Sequence, residues 1–285
     1  MDRRKFLLFP LAAVPTCAYA HFVEPEWLEV SLENVHLPGV RSGDPIRVAQ
    51  LSDLRASPDV PKNLIEESFR LTLAQNPDVV CLTGDFVTSG EPVDWRWYQQ
   101  TLSKLTDKAK CYAILGNHDS SSAATERRVV QLLSDSGVTL LLNRRDDLSI
   151  RSHQIRLVGL GDIWESQCDP QKAFFGVTPD SIPTIALSHN PDSKVAMADY
   201  PWHVMLAGHT HGGQVVAPFL NISPAPVRDR RYIKGLKPWR DRLIHVNAGI
   251  GNLYGVRFNC RPQISILLIS GDPASTDNAR PELNS

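Results

Sequence analysis

Three times in its first half, the chain repeats one pattern: a short apolar run, a polar turn, then a stretch with helical spacing. Ile46–Leu51 runs into Ser52-Asp53, Val79–Leu82 into Thr83-Gly84-Asp85, and Tyr112–Leu115 into Gly116-Asn117-His118-Asp119. Between the first two runs, Pro61 to Asn76 sets Ile65, Phe69 and Leu73 four apart, one face of a helix with proline near its start. A second helical stretch covers roughly Val93 to Leu105. Buried runs alternating with helices imply a parallel sheet covered by helices. Ligands of such sheets bind beyond the carboxyl ends of the strands, where Asp53, Asp85, Asn117 and His118 all stand.

The second half continues in kind. A helix from about Ala123 to Ser134 stops before Gly137, and strand-like pieces at Thr139–Leu142, Leu148–Ile150 and Ile155–Val158 suggest hairpins closed by Gly161-Asp162. Thr184–Leu187 ends in Ser188-His189-Asn190-Pro191-Asp192, and Val204–Ala207 ends in Gly208-His209-Thr210-His211-Gly212-Gly213-Gln214. On an extended backbone, residues two apart point the same way, so His209 and His211 aim at one volume. A proline- and arginine-rich loop from about Ala217 to Arg240 precedes closing strands near Leu243–Val246 and Ile264–Leu268. Residues 21–43 read as an edge strand entering the domain. With no internal repeat and no dividing linker, residues 21–270 form one α/β domain.

Its 285 residues at 42% hydrophobic content are enough for one sizeable core. A formal charge of −1 argues against nucleic acid as a partner. Residues 1–20 read as an export signal: Arg3-Arg4-Lys5, an apolar stretch from Phe6, and Ala18-Tyr19-Ala20 as a cleavage site. The Arg3-Arg4-x-Phe6-Leu7 order is twin-arginine-like. The expected location is the periplasm or the outer face of the cytoplasmic membrane, with peripheral membrane contact and oligomeric state left open. Cys81 and Cys111, inside apolar runs, read as small hydrophobes. The polar residues 271–285 should be a disordered tail.

Carboxylate, amide oxygen and imidazole together suit Mn, Fe or Zn better than Ca or Mg. The ordered set Asp53, Gly84-Asp85, Gly116-Asn117-His118-Asp119, His189 and Gly208-His209-Thr210-His211 resembles the calcineurin-like metallophosphoesterases, in particular an exported bacterial subgroup. The resemblance spans about Ile46 to Leu268. It implies a two-layer mixed β-sandwich flanked by helices, with two metals about 3.5–4 Å apart. It implies that Asp85 bridges them, that Asp53 and His211 complete a first site, and that Asn117, His189 and His209 complete a second. It further implies that His118 stabilises the phosphoryl charge or protonates the leaving oxygen, with Asp119 orienting it. The reaction implied is attack of a metal-activated hydroxide on a phosphodiester, phosphomonoester or pyrophosphate, in a small-molecule or lipid substrate.

One position departs from the family pattern, whose first motif is Asp-x-His. This chain reads Asp53-Leu54-Arg55. Arginine carries a permanent positive charge and cannot ligate a metal. At ~4 Å and an effective dielectric near 20, its repulsion of a dication is roughly 8 kcal/mol. Arg55 must therefore point away, bind substrate phosphate, or stand in for the first metal's charge. The expectation is one or two metals per chain with a weakened first site, and Arg55 acting on phosphate. The alternative is a catalytically impaired phosphate- or metal-binding protein. Trp202, Phe219 and Tyr232 read as ordinary packing before they read as an acyl groove, and Arg228, Arg230, Arg231 and Lys234 as a solvated loop or an anionic head-group contact.

Overall fold

Strand β2 (Ile46–Leu51) is buried at every position but Arg47, because apolar side chains on both of its faces meet packed layers. The computed structural model describes residues 15–40, 44–179, 182–218 and 223–271. Around β2 the strands β1 (Glu29–His36), β3 (Val79–Leu82), β4 (Cys111–Ala113), β5 (Thr139–Leu140) and β12 (Gln263–Ser270) make one six-stranded sheet, ordered β1-β12-β2-β3-β4-β5. The second sheet is ordered β10-β11-β9-β8-β7-β6, from β6 (Arg144–Ile150), β7 (His153–Gly159), β8 (Thr184–Leu187), β9 (Val204–Ala207), β10 (Gly235–Trp239) and β11 (Arg242–Val246). Strands β2 to β5 run parallel in the first, and β7, β8, β9 and β11 in the second.

The expected mixed β-sandwich flanked by helices is the observed fold. Ile46, Val48, Cys81 and Tyr112 of the first sheet face Leu157, Ile185, Val204 and Leu206 of the second in a fully buried layer. Helices α1 (Lys62–Ala74), α2 (Trp95–Thr106) and α3 (Ala123–Asp135) cover the outer face of the first sheet through Ile65, Phe69, Leu102 and Leu133. Asp94 and Ser122 cap α2 and α3, each accepting a backbone N–H three residues on. Cys81 and Cys111 are buried on opposite faces of the first sheet, as small hydrophobes.

Two sequence expectations change. Thr139–Leu140 is not part of a hairpin, since it pairs parallel to β4 and closes the first sheet, while β6 and β7 form the antiparallel hairpin of this stretch. The loop expected from Ala217 to Arg240 contains β10, whose Pro238 pairs with Leu243. Proline is tolerated there because β10 is an edge strand with one hydrogen-bonded neighbour. The expected tail lies outside the described residues but for Gly271, as do residues 1–14 of the expected signal. Residues 15–22 are helical, and the Ala20 carbonyl accepts the N–H of Arg257 at 2.9 Å. Among the described residues, no helix is long and apolar enough to cross a membrane.

A candidate metal centre at the strand ends

The register aligns the strand ends: Leu51 pairs with Leu82, Leu82 with Ala113, and Leu187 with Leu206. Each chain then turns sharply. Asp53, Arg55, Asp85, His209 and His211 all take positive φ, between 50° and 68°. This corrects the basis on which the two histidines were expected to converge: left-handed turns aim them, and His211 opens a short 3₁₀ turn (His211–Gly213). A non-glycine residue in this region costs about 1–3 kcal/mol and persists where its surroundings over-determine it. Here they do. The Asp53 N–H bonds Gly84 O at 2.9 Å, the Arg55 N–H bonds Asp85 O at 3.0 Å, and the Gly251 N–H bonds Asp53 O at 2.7 Å. Gly84, at φ 90°, leaves no room for a side chain, since a Cβ would stand 2.6 Å from Gly116 N and 2.9 Å from His189 Nδ1.

Asp85, His189 and His209 each direct one ligand atom into a single spot, all within 4.8 Å of one another. The Nδ1 of His189 donates to Thr83 O at 2.7 Å, which turns Nε2 toward Asp85 Oδ2, 3.2 Å away, as the ring atom a metal would take. The Nε2 of His211 lies 3.2 Å from Asp53 Oδ1, and the other Asp53 oxygen accepts the His209 N–H at 3.1 Å. Asn117 Oδ1, His189 Nε2 and both ring nitrogens of His209 and of His211 are buried without a hydrogen bond. Buried polar atoms are nearly always paired, so such a cluster is unfinished as protein alone. Its donor set fits a divalent cation of the Mn, Fe or Zn kind.

The electrostatics agree. Burial pushes the Asp53 and Asp85 carboxyls up, but the charges facing them outweigh it. His211 leads at Asp53 and Arg55 at Asp85, and both carboxyls are held well below the usual range. Burial acts downward on His189, yet Asp85, Asp53 and Asp162 lift it to about 10, which records a strongly negative field at that spot. Burial, reinforced by the His189 charge, drops His209 to about 3.

Two expected site residues differ in standing. His118 lines the cavity, its N–H bonds Asp85 Oδ1 at 2.9 Å, and burial lowers it to about 4, so the ring is neutral. The residue that orients it is Ser89, whose backbone N–H reaches His118 Nδ1 at 3.0 Å and leaves the ring proton on Nε2. Asp119 does not orient His118. Its carboxylate accepts the N–H groups of Phe86 (2.8 Å), Val87 (3.2 Å) and Gly116 (2.9 Å), fastening the Asp85 loop to the Asn117 loop. No sequence signal marks Ser89. Gly161-Asp162 does mark a further strand end: buried Asp162 accepts the Trp164 N–H at 2.8 Å, and the Trp164 ring meets His209 edge-on at 4.3 Å.

Beside the ligand cluster opens a cavity of about 560 Å³, walled by Trp164, Val215, Pro224, Leu253, Tyr254 and Val256 and floored by Arg55, Asn117, His118, His209 and His211. Trp202 and Tyr232 lie elsewhere, packed in the outer core of the second sheet, and Phe219 lies outside the described residues. Arg231 is paired with Asp229, and Arg230 bonds Ser223 O.

A sandwich of two mixed sheets with carboxylates and imidazoles converging at its strand ends defines a metal-dependent hydrolase fold. The family described as calcineurin-like phosphoesterase matches residues 46–213. Phosphodiesterase YaeI of Escherichia coli (strain K12) is 36% identical over 94% of this chain and 98% of its own length. The UDP-2,3-diacylglucosamine pyrophosphatase LpxG of Chlamydia trachomatis is 28% identical over 92% of this chain and 95% of its own. Among solved structures, a 5'-nucleotidase precursor from Thermus thermophilus is similar at TM-score 0.48 and 13% identity, over 79% of this chain and 54% of that one. The chain belongs to the calcineurin-like phosphoesterase family, whose members are metal-dependent hydrolases.

Proposed function

We propose that this protein is an exported phosphoesterase that cleaves a phosphodiester or pyrophosphate bond in a substrate carrying an apolar group. The observation that carries the reading is the buried, unpaired donor set opening directly onto an apolar-walled cavity. In this reading Asp85, Asn117, His189 and His209 hold a divalent cation, which when bound supplies Lewis acidity toward a phosphoryl oxygen and the attacking water. Neutral His118, its proton fixed on Nε2 by Ser89, donates a hydrogen bond to the leaving oxygen. Arg55, standing where the family pattern has a histidine, faces the phosphate. Trp164, Leu253 and Tyr254 exclude water and take the apolar group. The names of the two relatives, a phosphodiesterase and a pyrophosphatase of an acylated nucleotide sugar, support the bond type and the apolar substituent. Export rests on the charged-then-apolar start of the chain.

The test is hydrolysis of bis(p-nitrophenyl) phosphate, of a lysophospholipid and of an acylated nucleotide sugar by Mn-loaded protein, with His118→Ala as control. Turnover at least about a hundredfold above the control, the lower range for general acid catalysis, is expected. Rates equal to the control with every substrate and with Mn, Fe and Zn would leave a binding protein instead.

A further inference from the structure

The two halves of the ligand cluster are not alike. At Asp85, His189 and His209 three ligand atoms converge on one spot, and the Arg55 guanidinium touches only its Asp85 side, at Oδ2. At Asp53, Asp85 and His211 it meets both carboxylates. The Arg55 side chain is 2% exposed, and one Nη2 atom stands 2.5 Å from Asp85 Oδ2 and 3.7 Å from Asp53 Oδ1. His211 Nε2 faces that same Asp53 oxygen. A guanidinium nitrogen thus already stands between Asp53 and Asp85, the two carboxylates that a cation shared with His211 would have to take.

Arg55 is also held there. Its backbone is pinned to Asp85 O on one side, and on the other a Cβ on Gly251 would come within 2.5 Å of the Arg55 Cβ. The 249–251 loop therefore packs hard against the base of the side chain. Charge points the same way. Asp53 and Asp85 bring two negative charges into a space closed to solvent and Arg55 returns one. Counting Asp53, Asp85 and Arg55 alone, a single dication leaves a net charge of one, positive, whereas two would leave an excess of three. Two nitrogens of the guanidinium, Nε and Nη1, remain buried without a partner on a side chain that lines the cavity. Unpaired, fully charged donors on a residue that borders a cavity are suited to phosphate oxygens.

We propose that Arg55 is a built-in substitute for one of the two cations of this fold. The chain holds one divalent metal, on Asp85, Asn117, His189 and His209, and Arg55 excludes a second while offering Nε–H and Nη1–H to the phosphoryl group. The inference rests on the reading of the cluster as a phosphate-handling metal centre. The orphaned pair of donors also makes Arg55 a determinant of phosphate affinity separate from metal affinity.

The experiment is metal analysis and Mn EPR on full-length protein saturated with Mn and desalted, together with calorimetric titration of inorganic phosphate. The wild type should retain one Mn per chain with an uncoupled spectrum, and Arg55→His should retain two with a spin-coupled spectrum. Arg55→Gln should keep one Mn and lose about tenfold or more in phosphate affinity, as expected for removal of charge-assisted bonds. Two metals or none in the wild type, a single metal in folded Arg55→His, or unchanged phosphate binding in Arg55→Gln would each overturn the proposal. The wild-type count stands even where a variant fails to fold. One metal per chain with no phosphoester turnover would leave Arg55's role intact and remove the hydrolytic reading. Two metals with turnover would do the reverse.

Discussion

Gln50 joins the two sheets two residues before the turn that carries Asp53, and its replacement by leucine has a calculable consequence. Its Nε2 donates to Ala207 O on β9 at 2.9 Å and to Thr83 Oγ1 at 3.1 Å, and its Oε1 accepts from His245 Nδ1 on β11 at 2.7 Å. All of this is buried. His245 is held neutral, lowered by burial to about 4, so it has one N–H to place. Leucine is near-isosteric, leaves little cavity, and strands the His245 N–H, while the Ala207 carbonyl keeps the backbone N–H of Asn247 at 2.8 Å. At about 1–3 kcal/mol for one orphaned buried donor, the loss should be about 2 kcal/mol. For a domain of this size that is a fall in Tm of about 4–8 °C. Urea unfolding of metal-free protein at pH 7 measures it, with an unchanged m-value required. A cycle with His245→Leu should return a coupling of about 1 kcal/mol. A loss under 1 kcal/mol, or no coupling, would refute the claim that this pair locks the sheets together.

Three further outcomes follow from the same geometry. His209→Ala should strip most of the metal and His211→Ala little of it, read by metal content after dialysis; equal loss would show that the two histidines serve one ion. Asp119→Ala should weaken metal retention by about tenfold or more, as loss of a supporting carboxylate does, although Asp119 directs its oxygens at backbone N–H groups; unchanged affinity would mean the two loops hold without it. Burial raises the Cys81 and Cys111 thiols, Cys111 to about 12, so neither should react with a thiol reagent at pH 8 until the protein unfolds, and rapid native labelling of either would place it outside the core.

Much of this was legible in the chain. The apolar runs before Asp53, Asp85, Asn117, His189 and His209 located the strand ends, because a strand buried on both faces must be apolar throughout and must stop where polar groups begin. Thr139–Leu140 was misplaced because so short a segment carries no pattern and its partner is chosen by the sheet edge. β10 was hidden because Lys237 and Pro238 obey the rules of an edge, not of a core. Ser89 and the true partners of Asp119 were out of reach for a different reason. Both act through backbone N–H groups, which every residue but proline has, so the sequence does not label them. The left-handed turns at His209 and His211 were likewise invisible, and the convergence they produce was expected on the wrong geometric ground.

The Arg55–Asp85 contact bears on how the molecule matures. Closing the sandwich removes two ionised carboxylates from water, a step that is expensive until an opposite charge arrives. Where that charge is a captured ion, the last stage of closure waits on the supply of metal. Here the counter-charge for Asp85 comes from another loop of the same polypeptide and is present from synthesis. The sheets can shut first and load afterwards, so the folded state of this chain should be less dependent on ambient metal than its ligand set alone would suggest.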